Sequence, residues 1–252
     1  MKMKQRRQGM VEMINREGSV SFAALKEAFP GVSEMTLRRD LEYLDQTRQI
    51  IRIHGGAKSV EVAIGTDDLF NRRSKRNAEA KKLIARKARD LAGENTSIYI
   101  DSGSTATEFS KVFPDGRYLI FTSGISCAME LARLADAHVY VVGGRLNPYS
   151  LSVNGSRSLA YMENINFQTA FMGVTGYISG RGFTCGSEEE CELKRAVIRK
   201  SDKVVLLMDS QKVDITSTFT YADLEDIDII VSDGMLNEKT VREFEKAGVT
   251  VL

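Results

Sequence analysis

The chain has 252 residues, 42% of them hydrophobic and 27% charged, which suits a small domain beside a medium one with a sizeable core. No apolar run approaches the roughly 20 residues of a membrane helix, the basic start MKMKQRRQGM leads into no signal-like stretch, and three scattered cysteines with two histidines suit neither a disulfide framework nor a metal centre. The net charge of +1 hides an asymmetry, because residues 1–89 carry 20 Lys and Arg against 11 Asp and Glu (+9), whereas residues 90–252 carry 15 against 23 (−8).

In chain order, residues 4–17 place Met10, Val11, Met13 and Ile14 on one helical face, stopped by Gly18. Ser21 caps a second helix with Phe22, Leu25 and Phe29, which Pro30-Gly31 ends. Ser33 caps a third, with Glu34 in its first turn and Leu37, Leu41 and Leu44 at helical spacing. Gln49–Ile53 alternates as a strand that His54-Gly55-Gly56 ends, and residues 57–75 lack a period and suit a linker. A basic helix over about 76–92 then opens a different rhythm. Strand-like runs fall at 97–101, 118–123, 138–144, 169–174, 203–209 and 228–233, with helical patterns at 124–134, 156–165, 187–201 and 236–247. This alternation predicts an α/β domain with a mainly parallel sheet covered on both faces. The expected division is a head over 1–57, a linker over 58–75 and an α/β domain over 76–252.

A basic front end on an acidic body presents one part of a protein to a polyanion. On the third helix Met35, Arg39 and Glu42 point away from the leucines, and Thr36, Arg38 and Tyr43 flank that outer face. Short polar and basic side chains at a helix start are what a major groove receives: arginine pairs with guanine, while Ser33 and Thr36 meet phosphates or base edges. Arg52 and His54 would touch the neighbouring backbone as a wing. By itself Arg38-Arg39-Asp40 suits a solvated charge cluster equally well. The stretch 20–57, however, with Thr36–Leu41 reading TLRRDL and His54–Ala57 reading HGGA, resembles the helix-turn-helix of the DeoR family of bacterial regulators. Arg48 stands where that family usually has glycine between recognition helix and wing.

Several loops leave strands with glycine and hydroxyl side chains. Asp101, Gly103, Ser104, Thr105 and Thr107 follow the first strand, Thr122 and Ser123 the second, and Gly143, Gly144 and Arg145 the third. Gly173 and Thr175 follow the fourth, and Lys212 comes after the fifth. In an open α/β sheet ligands bind beside the carboxyl ends of strands. Helix N-termini with hydroxyls and glycines there suit a phosphate, with Lys212 as a point charge and Asp101 accepting from sugar hydroxyls. Such residues are also ordinary turn formers, and neither GxxxxGK[ST] nor GxGxxG is present, so no nucleotide cofactor is expected.

Residues from about 70 onward resemble the DeoR-family sensor domain, itself similar in fold to ribose-5-phosphate isomerase, through Asp101-Ser-Gly-Ser-Thr105, Gly143-Gly144, the Glu190…Lys194-Arg195 helix and Asp209-Ser-Gln-Lys212. The sequence departs from the family at Thr122-Ser123-Gly124 and at Gly173-Val174-Thr175-Gly176, losing an Asn and an Asp. The resemblance implies a cytoplasmic, non-enzymatic repressor of a carbohydrate operon. Such a repressor would bind a double-stranded DNA operator as a homodimer or higher oligomer and respond to a phosphorylated sugar or similar anion, without metal, cofactor or membrane. Two other classes stay open: a sugar-phosphate isomerase with a DNA-binding head, for which Asp101, Glu190 and Asp209 are nominal bases, and a constitutive DNA binder that has lost its response.

Overall fold

The computed structural model describes residues 3–53, 55–59 and 70–252, and the chain divides into two compact units, 1–68 and 69–252. In the first, α1 (Met3–Glu17), β1 (Ser19–Ser21), α2 (Phe22–Ala28) and α3 (Glu34–Gln46) precede the hairpin β2 (Ile50–Ile53) and β3 (Gly56–Ser59). Ser21 and Ser33 cap their helices by accepting from the Ala24 and Thr36 amides. Met10, Ile14, Leu25, Leu37, Leu41, Leu44 and Ile50 form the core of this unit. β3 runs antiparallel between β1 and β2. It therefore takes up residues 58–59, which the sequence suggested as linker. A side chain at Gly56 would lie 2.2 Å from the Val20 carbonyl oxygen, so only glycine lets β3 approach β1 this closely.

The second unit begins with α4 (Phe70–Lys75), a helix where a linker was expected, and α5 (Ala78–Arg89). The α4 segment is too short to show a hydrophobic period, and the Phe70 amide is anchored on the Tyr149 carbonyl. Seven strands follow: β4 (Thr96–Ile100), β5 (Tyr118–Thr122), β6 (His138–Val141), β9 (Thr169–Gly173), β12 (Val204–Leu207), β14 (Ile229–Val231) and β15 (Thr250–Val251). They form one sheet in the order β15-β14-β12-β9-β4-β5-β6, and every pair is parallel. Side chains alternate between two cores. Tyr99, Ala170, Met172, Leu206 and Ile230 face one, and Ile98, Ile100, Phe171, Val205 and Leu207 face the other. The second core is covered by α5, α6 (Ser104–Val112) and α7 (Ile125–Leu131), and the first by α8 (Ser156–Met162), α9 (Glu188–Arg199) and α10 (Glu238–Lys246). Burial on both faces explains why these strands read as nearly continuous apolar runs.

Two smaller antiparallel elements carry no clear sequence signal. One is the hairpin β7 (Arg145–Asn147) and β8 (Ser152–Asn154). The other is a three-stranded sheet of β10 (Gly176–Ile178), β11 (Gly182–Cys185) and β13 (Phe219–Ala222). Among the described residues no helix is long and apolar enough to cross a membrane, and the three cysteines are buried free thiols.

Candidate functional site

In the first unit α3 turns Leu37, Leu41 and Leu44 inward and leaves Ser33, Met35, Arg38 and Arg39 exposed, with Thr36 half-buried between them. The Ser33 hydroxyl serves the cap and also bonds the Thr36 hydroxyl at 2.9 Å. Arg38 lies over the Phe22 ring at 4.4 Å, so its guanidinium is steadied while Arg39 projects outward. Asp40 is different: it is buried, and its two oxygens receive Arg6 at 2.6 Å and Arg7 at 2.7 Å. The carboxylate of the TLRRDL motif therefore binds α3 to α1 and does not belong to a solvated cluster. Arg48 adopts φ 55°, the left-handed conformation that glycine usually supplies at this point. Arg52 is exposed on β2, its amide held by Asp45, and His54 lies outside the described residues.

In the second unit the strand order reverses between β4 and β9, which run side by side although β5 and β6 intervene in sequence. A crevice opens at the carboxyl ends of these two strands, as expected for a topological switch point. Arg73, Ser102, Gly103, Ser104, Thr105, Ser150, Gly173, Val174, Thr175, Glu190, Lys194 and Lys212 line it. Gly103, at φ 105°, turns the chain from β4 into α6, so the first-turn amides of that helix lack intrahelical partners at the crevice wall. Asp101 lies beneath, 2% exposed. It accepts from the Gly173 amide at 2.9 Å and from the Lys194 amine. Burial pushes the Lys194 amine down, but the adjoining Asp101 carboxylate outweighs it and holds the amine above its ordinary range.

The geometry thus brings together Gly103, Ser104, Thr105, Gly173, Thr175 and Lys212, with Asp101 as their floor. It leaves other predicted ligand residues outside. Thr107 is buried and bonds Gly103 and Ser126. The Thr122 hydroxyl accepts from the Gly124 amide, and the Ser123 hydroxyl accepts from Tyr99. The β7–β8 hairpin seals these two residues in, since the Val153 amide reaches the Ser123 carbonyl and Ile125 reaches Leu151. Gly143 and Gly144 follow the edge strand β6. A side chain at Gly144 would lie 2.3 Å from the Ser158 hydroxyl, so that glycine serves packing. Arg145 pairs with Glu189 at 2.6 Å and lines a separate hollow.

Six of these lining residues were absent from the predicted site; Ser102 and Val174 are sequence neighbours of predicted residues, and the other four come from elsewhere. Arg73 comes from α4, which has no readable period. Ser150 comes from the turn of an unpredicted hairpin. Glu190 and Lys194 lie four apart on α9, a spacing that puts them on one helical face; the resemblance had marked this helix, without assigning its two charged residues to the ligand. Behind the crevice, Lys81 is also buried and donates to the carbonyls of Arg73 and Arg76. Asn77 clasps the loop after β12 by donating to Asp209 at 3.0 Å and Gln211 at 2.9 Å. Among the described residues no cluster suits a metal ion.

A family model for the DeoR-like helix-turn-helix domain matches residues 6–63, and one for the DeoR C-terminal sensor domain matches residues 76–234. The HTH-type transcriptional regulator GlpR of Haloferax volcanii is 32% identical over 249 residues, 98% of this chain and 96% of that protein. The glycerol-3-phosphate regulon repressor of Escherichia coli strain K12 is 27% identical over 234 residues, 92% of each. Among solved structures, a ribose 5-phosphate isomerase A of Methanocaldococcus jannaschii shares 14% identity over 54% of this chain and 55% of its own, with a TM-score of 0.40. With a reading helix built on a leucine core, and a crevice at the switch point of a parallel sheet, the chain belongs to the DeoR family of transcriptional regulators.

Proposed function

We propose that the chain represses a carbohydrate-metabolism operon in the cytoplasm, and that a phosphorylated sugar or related anion seated in the crevice changes its grip on the operator. The observation that carries this reading is the convergence of Arg73, Lys194 and Lys212 on the start of α6 at Gly103–Thr105. Cations, helix amides and hydroxyls at one point suit a phosphate. Turnover is no part of this reading: the relatives are named as transcriptional regulators, Asp101 is held by Lys194 and Gly173, and Asp209 and Glu190 are each engaged through one oxygen, by Asn77 and by Ser150 and Ser152. The exposed Met35, Arg38 and Arg39 read the DNA, Thr36 beside them, and a second copy supplies the second half-site.

The crevice has about 40 Å³ of water-accessible space, room for on the order of three waters. A phosphate fits there. Arg73 is the lining residue borne on α4, at the start of the second unit. Linkage requires only that the anion bind the DNA-competent and incompetent states differently.

Band shifts at fixed salt on a repeated site upstream of a sugar operon, titrated with sugar phosphates, test this. Arg39→Ala should cost roughly 1–3 kcal/mol on the specific site and less on random DNA. Lys212→Ala should keep operator affinity and lose the metabolite response. Equal affinity for the repeat and for random DNA, or an unchanged dose-response in Lys212→Ala, overturns the reading.

A further inference from the structure

We infer that Glu190 is the specificity-determining residue of the crevice, reading hydroxyl groups on the ligand and rejecting phosphates that lack them. The inference rests on the anion reading of the crevice given above. Glu190 is 5% exposed and lines the crevice. Its Oε1 accepts from the hydroxyls of Ser150 at 2.5 Å and Ser152 at 2.6 Å. Asn154 donates to the Ser152 oxygen at 2.7 Å, and the Ser150 and Ser152 hydroxyls lie 2.7 Å apart, so the two serines and Asn154 form one network behind Glu190. The carboxylate is therefore fixed from behind, and its Oε2 has no partner among the described residues. Glu188 and Glu189 share the same helical turn, but only Glu190 of the three is buried and set against the crevice.

A buried carboxylate among cations that collect an anion repels phosphate. It becomes favourable only when the ligand brings its own donor, because a hydroxyl giving to a carboxylate makes a charge-assisted bond. Discrimination of this kind needs both the attractive and the repulsive half. Lys194, one turn further along α9, gives its hydrogen bonds to Asp101 and to the Gly173 carbonyl at 3.0 Å, and among the described residues it forms its ion pair with Asp101 and not with Glu190. The ligand class is thus an anion with a phosphate at the Arg73–Lys212 end and at least one hydroxyl facing α9. Sites built to bond a hydroxyl reject analogues lacking it far more strongly than apolar pockets reject a methylene.

Calorimetric titration of the full chain with glycerol 3-phosphate, ribose 5-phosphate, propyl phosphate and inorganic phosphate tests this. The wild-type protein should favour one of the hydroxylated phosphates over propyl phosphate by about 100-fold or more. In Glu190→Gln that preference should fall at least tenfold, while inorganic phosphate binds as well or more tightly because the repulsion is gone. Glu190→Asp, which keeps the charge but retracts it, should give an intermediate preference and serves if the Gln variant does not fold. An unchanged preference, or an equal loss for every phosphate, removes Glu190 from the reading role while leaving the anion site standing. If the wild-type protein binds none of the four, the anion reading itself falls and this inference with it.

Discussion

Lys81 shows how a single buried residue couples the crevice to pH. Its amine stands at about 8, lowered first by burial and then by the nearby Lys212, Arg73 and Arg76, with the Asp209 carboxylate opposing them. An anion in the crevice adds negative charge beside Lys212 and Arg73 and raises that value, so binding takes up a proton above pH 8. Affinity should fall as pH rises through about 8, and fall again below about pH 6 as the ligand phosphate gains its second proton. Titrations at pH 8.5 in buffers of different ionisation heat should report net proton uptake; proton release would remove Lys81 from the linkage. Without ligand, the folded chain binds fewer protons at Lys81 than the unfolded chain between about 8 and the ordinary 10.5. The Lys81 contribution to stability therefore rises with pH across that window.

Arg48 and Asp40 show what a motif read from sequence conceals. Arg48 in place of glycine suggested a different turn or a phosphate contact, yet the chain keeps the left-handed φ there, as the turn between helix and wing requires. The burial of Asp40 was not foreseeable, since its partners Arg6 and Arg7 lie more than thirty residues away.

At the scale of elements, α1 and α3 are joined by that double ion pair, with Arg7 also stacked 3.7 Å over Tyr43. Removing one member of a buried pair strands the remaining charge, typically at 3–5 kcal/mol. The arginines here retain some exposure, so Asp40→Ala should destabilise the head by about 3 kcal/mol, the lower end of that range. Urea unfolding followed by circular dichroism measures it, and a loss below about 1 kcal/mol, the worth of a surface pair, would show the contact to be superficial. The short elements were the ones missed. α4 and the β7–β8 hairpin are stabilised by contacts such as Phe70 to Tyr149 and Ile125 to Leu151, and local periodicity does not report such contacts.

At the scale of the molecule, the two units have separate cores. A phosphate ligand at 100 times its dissociation constant stabilises the unit that binds it by about 2.7 kcal/mol. Scanning calorimetry with the tightest phosphate should therefore move the transition of residues 69–252 upward by several degrees. A ligand that moved only the other transition would place its site in the head.

Elements whose reasons are local could be read from residue order: the capped recognition helix with its leucine face, the apolar strands, and the glycine turns that end them. Residue order also carried the charge division between head and body. Which strand-ending loops meet emerges from the packed fold. The order of strands is set by long-range packing, and the reversal between β4 and β9 selects the loops at 101–105 and 173–175 while the hairpin seals off 122–123. Arg73, Glu190 and Lys194 enter the crevice for the same reason, carried there by helices that pack around the switch point.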